Sequence, residues 1–377
     1  MILLCLTGWT VLRRSLLVAV MAMLLCPTMT LANDREMRSV ARAEAKRFVA
    51  SPGGTALSIG IVMRGDAISI HAGTVAPRSN EPPTDRTIYE IGSITKTFAS
   101  TVLAHAVLEG RVALDDDIRR YLPDELGRLD ANGEPIRLVH LANLTSGLPN
   151  WLPDPGDRLS GATPDEAVKA LIALHQGYDM DRLYADLANI SIPTPPGAVA
   201  RHSNVAAQLL AAILARVYQA PFPELVQRYV TGPFGMRDTG WQTGESMHPG
   251  HDAEGRAMPL TTEMPDLPDA GGLRTSTRDM LIYLQHQLAE DDPAIALTHQ
   301  STVVTDDEEV GLNWHIDTLP TGEKTYWHTG GTFGFSSYIV LFPARRLGIV
   351  LMTNESDPET QRRLVAIASK IAEAEAG

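Results

Sequence analysis

The chain has 377 residues, 44% apolar and 20% charged, with a formal charge of −13, which is enough apolar chain for one large domain or two joined ones. The acidic balance and the lack of any basic run argue against a nucleic-acid partner. Both cysteines, Cys5 and Cys26, lie within the first 32 residues.

Residues 1–32 read as an export signal. Arg13 and Arg14 supply a positive start, Ser15–Cys26 an uncharged apolar run, and Thr30-Leu31-Ala32 small residues at the positions a signal peptidase reads. A retained anchor would ask for about 20 apolar residues, and bulky Leu25 before Cys26 speaks against lipidation. The paired arginines also permit twin-arginine export. Cleavage after Ala32 would remove both cysteines, leaving no disulfide, thiolate metal site or cysteine nucleophile. With no second long apolar stretch, the expectation is a periplasmic or secreted protein with no stable membrane span after cleavage.

Asp34–Ala50 has the spacing of an amphipathic helix, with Met37, Val40, Ala41, Ala45, Phe48 and Val49 on or near one face. Ala56–Met63 and Ala67–Gly73 read as strands joined at Arg64-Gly65-Asp66, a hairpin. Thr95–Leu108 is helical in period after an extended Tyr89–Gly92. From Leu114 to Leu267 helical segments (Val139–Asn143, Pro164–His175, Asn204–Tyr218, Phe222–Val230) alternate with Pro/Gly-rich loops. Pro149–Gly161 and His248–Asp269 are long and aperiodic, as lids or rims of a site are. Gly311–Asp317, Phe335–Phe342 and Leu347–Thr353 then read as strands, and Pro358–Ala372 as a closing helix. The expected fold class is α+β. Residues 33–112 and 270–377 form an antiparallel sheet flanked by helices, and residues 113–269 form an inserted, mainly helical domain.

Ser93-Ile94-Thr95-Lys96 stands where the Thr95–Leu108 helix begins. Of the five lysines, Lys96 alone has a serine three residues before it. That spacing puts hydroxyl and amine on one face, at a helix end that favours negative charge. A desolvated amine there can take the serine's proton. Each residue also has a plainer reading, Ser93 as an N-cap and Lys96 as a solvated charge. His202 and Asn204 sit at the start of the next long helix, where they can point together into a cleft, although Asn204 also reads as a cap. In His328-Thr329-Gly330-Gly331, before an expected strand, the glycines would let a substrate lie along the strand edge. The Gly331 N–H could then face an oxyanion.

Ser93-x-x-Lys96, the element His202-Ser203-Asn204 and His328-Thr329-Gly330, in that order, resemble the penicillin-recognising serine hydrolases. The branch is that of class C β-lactamases, low-mass penicillin-binding peptidases and related esterases. Arg111–Asp116, His140–Pro149, Pro233–Thr239, Gly271–Ser276 and Gly330–Asn354 carry the same likeness, which spans roughly Arg42 to Ala368. The resemblance implies a β-lactamase/transpeptidase-like fold and an acyl-enzyme on Ser93 assisted by Lys96. It implies an oxyanion hole from the N–H groups of Ser93 and Gly331, and Asn204, His328, Thr329 and Gly330 at the substrate. No metal or organic cofactor is implied. The substrate would be a β-lactam, a peptidoglycan stem peptide or an ester. Peptidase and β-lactamase rank above esterase because export places the enzyme beside the cell wall.

One residue departs from the pattern: relatives begin the middle element with tyrosine, and here His202 stands there. Histidine also relays protons, with an ordinary pKa of about 6.5 against about 10 for tyrosine. Two roles stay open, general base or mere space-filling beside Lys96. A deacylation profile flat from pH 5 to 8 would count against the base. Of the rivals, a zinc hydrolase lacks ligand spacing around His248-Pro249-Gly250-His251-Asp252, and an α/β-hydrolase lacks its Gly-x-Ser-x-Gly elbow. A binding protein that acylates without turnover would keep the same residues.

Overall fold

The computed structural model describes residues 33–376 apart from 124–125, 127–128, 157–160, 243–246 and 262–267. The export-signal reading of 1–32 therefore lies outside the described residues. In chain order the strands are β1 (Ala56–Met63), β2 (Asp66–Gly73), β3 (Ile88–Glu90), β4 (Asp130–Ala131), β5 (Glu134–Pro135), β6 (Arg274–Ser276), β7 (Val303–Val304), β8 (Glu309–Val310), β9 (His315–Thr318), β10 (Lys324–Gly331), β11 (Ser336–Phe342) and β12 (Leu347–Thr353). Eight of them form one antiparallel sheet in the order β2-β1-β12-β11-β10-β9-β8-β7. β1 thus pairs with the last strand, β12, and the sheet is completed only by both ends of the chain.

The β1–β2 hairpin turns on Arg64 and Gly65, both at positive φ (53° and 99°), which matches the right-handed twist of the strands. All eight residues of β1 are buried, because helices cover both faces of the sheet. Leu57, Ile59 and Ile61 meet the helix at 33–49 (Met37, Ala41, Phe48) and the closing helix (Leu364, Ile367, Ile371). On the other face, Gly60 admits Leu281 of the Thr277–Ala289 helix. That face continues into the larger core, which takes in Phe98, Val102, Leu209 and Ile213 of the helical region.

Three expectations change in detail. Of the run Gly311–Asp317 only His315–Asp317 is strand, in β9, and β8 ends before it at Val310. Asn313 adopts a left-handed conformation (φ 55°), and its amide donates to Ser100 Oγ at 2.8 Å. The alternation of apolar Leu312, Trp314 and Ile316 with polar residues imitates a strand across that turn. Phe222–Val230 is helical only to Val226; Gln227–Thr231 then widens to a π-type turn. Lastly, His328–Gly331 is the end of β10 itself rather than the approach to a strand. Among the described residues no single helix is long and apolar enough to cross a membrane.

Candidate active site

Gly92–Ile94 forms one 3-10 turn that runs into the Thr95–Leu108 helix. Neither has a side-chain cap, so Ser93 is not spent as an N-cap. Its Oγ lies 2.8 Å from Lys96 Nζ and 2.9 Å from His202 Nε2. Lys96 is 1% exposed and also donates to Asn204 Oδ1 at 2.9 Å and the Ala270 carbonyl at 2.7 Å. Three acceptors around Nζ match the three hydrogens of an ammonium. Burial nevertheless pushes the Lys96 pKa down to about 7, since the charged form has lost its water. Both protonation states are therefore accessible at neutral pH.

The cap of the Asn204–Tyr218 helix is Ser203, whose Oγ accepts from Ala206 N at 3.0 Å. That frees Asn204 for Lys96. Ser203 Oγ also donates to the Pro149 carbonyl at 2.7 Å, fixing the loop that carries Asn150. Asn150 Oδ1 lies 2.9 Å from His202 Nδ1 and accepts from Asn204 N at 3.2 Å. An amide oxygen can only accept, so this contact puts the imidazole proton on Nδ1 and leaves Nε2 as an acceptor facing Ser93. The shorter imidazole does reach the serine. Its pKa is pushed down, to about 3, first by the surrounding protein, then by Lys96 and His315. The ring's outer edge is open to the cleft, and His202 is neutral at pH 7. A flat profile above pH 5 is therefore what a His202 base would also give, and that test does not discriminate.

β10 pairs with β9 only as far as Trp327, so His328–Gly331 has β11 on one side and an open edge on the other. That edge packs on the Ser93 turn. The approach is close enough to exclude side chains: a Cβ on Gly92 (φ +52°) would lie 2.4 Å from Gly331 N. The backbones of Ser93 and Gly331 are thereby neighbours. A Cβ on Gly330 would lie 1.9 Å from the Ile91 carbonyl oxygen. Gly330→Ala is expected to cost about 3 kcal/mol, the upper end of ordinary overpacking, read as a lowered urea midpoint.

Thr329, Gly330 and Gly331 line the cleft. His328 is placed differently from the expected wall residue: it is 2% exposed, with His315 5.5 Å from its ring and Nδ1 2.6 Å from the Thr329 carbonyl oxygen. Burial holds its pKa well below the histidine range. Lys96 and His202 are near enough to disfavour its charged form as well. The Pro149–Gly161 and His248–Asp269 loops contribute Asn150, Trp151 and Thr261 to the cleft. Asn150 and Ala270 are the site residues the sequence reading missed; the first lay in a loop marked only as a rim, the second acts through its backbone.

A family model described as Beta-lactamase matches residues 41–373. A β-lactamase of Pseudomonas fluorescens is 26% identical over 347 residues, covering 81% of this chain and 90% of its own. A D-alanyl-D-alanine-carboxypeptidase/endopeptidase AmpH of Escherichia coli K12 is 25% identical over 323 residues, covering 81% and 80%. Among solved structures, a class C β-lactamase from Rhodobacter sphaeroides aligns with a TM-score of 0.73 at 24% identity, over 88% of this chain and 99% of that one.

Proposed function

The chain belongs to the β-lactamase family, and from that premise we propose that it is a serine hydrolase acting through an acyl-enzyme on Ser93. The observation that carries this reading is the serine hydroxyl held between a buried amine and a neutral imidazole nitrogen, 2.8 and 2.9 Å away. With Lys96 uncharged, the Ser93 hydroxyl turns its hydrogen from His202 Nε2 to Nζ, and that proton passes to Nζ as Oγ attacks a carbonyl carbon. The N–H groups of Ser93 and Gly331 face the oxyanion. The tetrahedral intermediate then expels an amine or alcohol, which takes a proton from the Lys96 ammonium. Once Oγ is acylated it no longer donates to His202, and Nε2 is free to draw a proton from the water that attacks the ester. As the bond from the acyl carbon to Oγ breaks, Nε2 gives its proton to Oγ, which releases the acid and restores the serine. Asn204 and Thr329 flank the bound carbonyl compound, and no organic cofactor enters.

The relatives' names make β-lactam and D-alanyl-D-alanine amides the first carbonyls to offer, and an esterase would use the same atoms. Export, read from residues 1–32, would place the enzyme where such amides occur. The test is intact-mass spectrometry of the protein with penicillin G and, separately, an activated phenyl ester, followed through time and mapped by digestion. The expected result is an acyl adduct on the peptide containing Ser93. Its decay marks turnover and its persistence a binding protein. No adduct with either reagent would overturn the proposal.

A further inference from the structure

The cleft in front of Ser93 is about 490 Å3. Trp151, Leu171 and Phe333 line it, and Trp151 is braced edge-on against His175 at 5.6 Å between ring centres. Among the described residues that line the cleft, none is Asp, Glu, Lys or Arg. Lys96 does not make up for this. It lies behind the serine, and its hydrogens point to Ser93, Asn204 and the Ala270 carbonyl. His202 spends Nδ1 on Asn150, and His328 is buried and does not line the cleft.

We infer that the substrate is uncharged on both sides of the scissile carbonyl: an ester or capped amide whose apolar acyl group lies against Trp151, Leu171 and Phe333. The inference rests on the acyl-enzyme reading above. A carboxylate brought into this cleft loses hydration and gains no cation from the described residues that line it. Penicillins and peptides ending in D-alanine carry a carboxylate on the leaving side, so the cleft ranks neutral esters ahead of them. This reverses the order that location beside the cell wall suggested. The chemistry is unchanged: Ser93 Oγ bonds to the carbonyl carbon, the bond to the alkoxy oxygen breaks, and the alcohol leaves with a proton.

The test is a matched pair, 3-(butanoyloxy)benzoate and its methyl ester, with kcat/KM corrected for the two esters' hydroxide-catalysed rates. The neutral ester is expected to be preferred by about tenfold or more, the scale of one missing charge partner. A smaller corrected ratio would overturn the inference. Leu171→Arg, which sets a cation in the cleft lining, is expected to narrow the preference by about tenfold. An unchanged ratio in the folded variant would also overturn it, by placing the discrimination in shape. Mass mapping separates the two readings: acylation of Ser93 by both esters at equal rates sinks only the charge preference, whereas acylation of Ser93 by neither sinks both.

Discussion

Lys96→Met is expected to lower kcat/KM for acylation by about 10³-fold, within the range for loss of a positioned base, while the protein stays folded. Methionine keeps the length of the side chain and removes the amine that takes the Ser93 proton. The Lys96 head group is buried among Ser93, Asn204 and Ala270, and its lowered pKa reports that its charge is poorly accommodated there. Replacing such a group with an apolar one of similar volume is often neutral or stabilising. The melting temperature should therefore hold or rise as activity is lost, which distinguishes a chemical role from a structural one. The wild-type pH profile carries the matching signature. The base must be neutral, so kcat/KM should fall tenfold per unit below about pH 7 and level off above it. Lysine folded at about 7 and unfolded near 10.5 binds more protons when unfolded between those values. That group's contribution to stability is thus lost as pH falls from its unfolded towards its folded pKa. Maximal activity and increasing stability lie on the same alkaline side.

His202→Phe is expected to slow deacylation by about 10²-fold or more and acylation much less, so that the acyl-enzyme accumulates. Phenylalanine keeps the ring and removes Nε2. Asn150→Leu should give a weaker form of the same defect, because the imidazole stays but loses the contact that holds its proton on Nδ1. Asn150→Asp instead places a carboxylate beside Nδ1 and should raise the His202 pKa, bringing a new acid limb into the deacylation profile. Single-turnover mass spectrometry across pH reads all three. If His202→Phe deacylates like wild type, the imidazole is a spacer and Lys96 carries both proton transfers.

The sequence was most legible where one local rule governs. The hairpin at Arg64-Gly65 and the serine–lysine spacing needed only local geometry, and the strands β11 and β12 declared themselves by unbroken apolar runs. It was least legible where a distant partner decides. Asn313 turns the chain because Ser100, far back in the nucleophile helix, accepts its amide. Asn150 gives no motif, since its value depends on His202 and Asn204 arriving opposite it. His328 looked like a wall residue by its position in the triplet, yet it is buried where β9 parts from β10. The plain cap readings of Ser93 and Asn204 fail for a local reason visible only in coordinates: the turn before Thr95 has no side-chain cap, and Ser203 already caps the second helix.

The pairing of β1 with β12, Leu57 opposite Thr353, has a consequence for synthesis. β1 leaves the ribosome early, with every residue destined for the interior, and its inner neighbour comes almost 300 residues later. At roughly 5–20 residues per second, the hairpin must wait many seconds with an apolar edge open to wrong partners. Ser93, His202 and Gly331 are brought together on the same schedule. A ribosome-bound chain ending before residue 347 therefore carries all the chemistry and cannot yet perform it, and protection of that waiting edge by a holding chaperone would set the yield of folded enzyme.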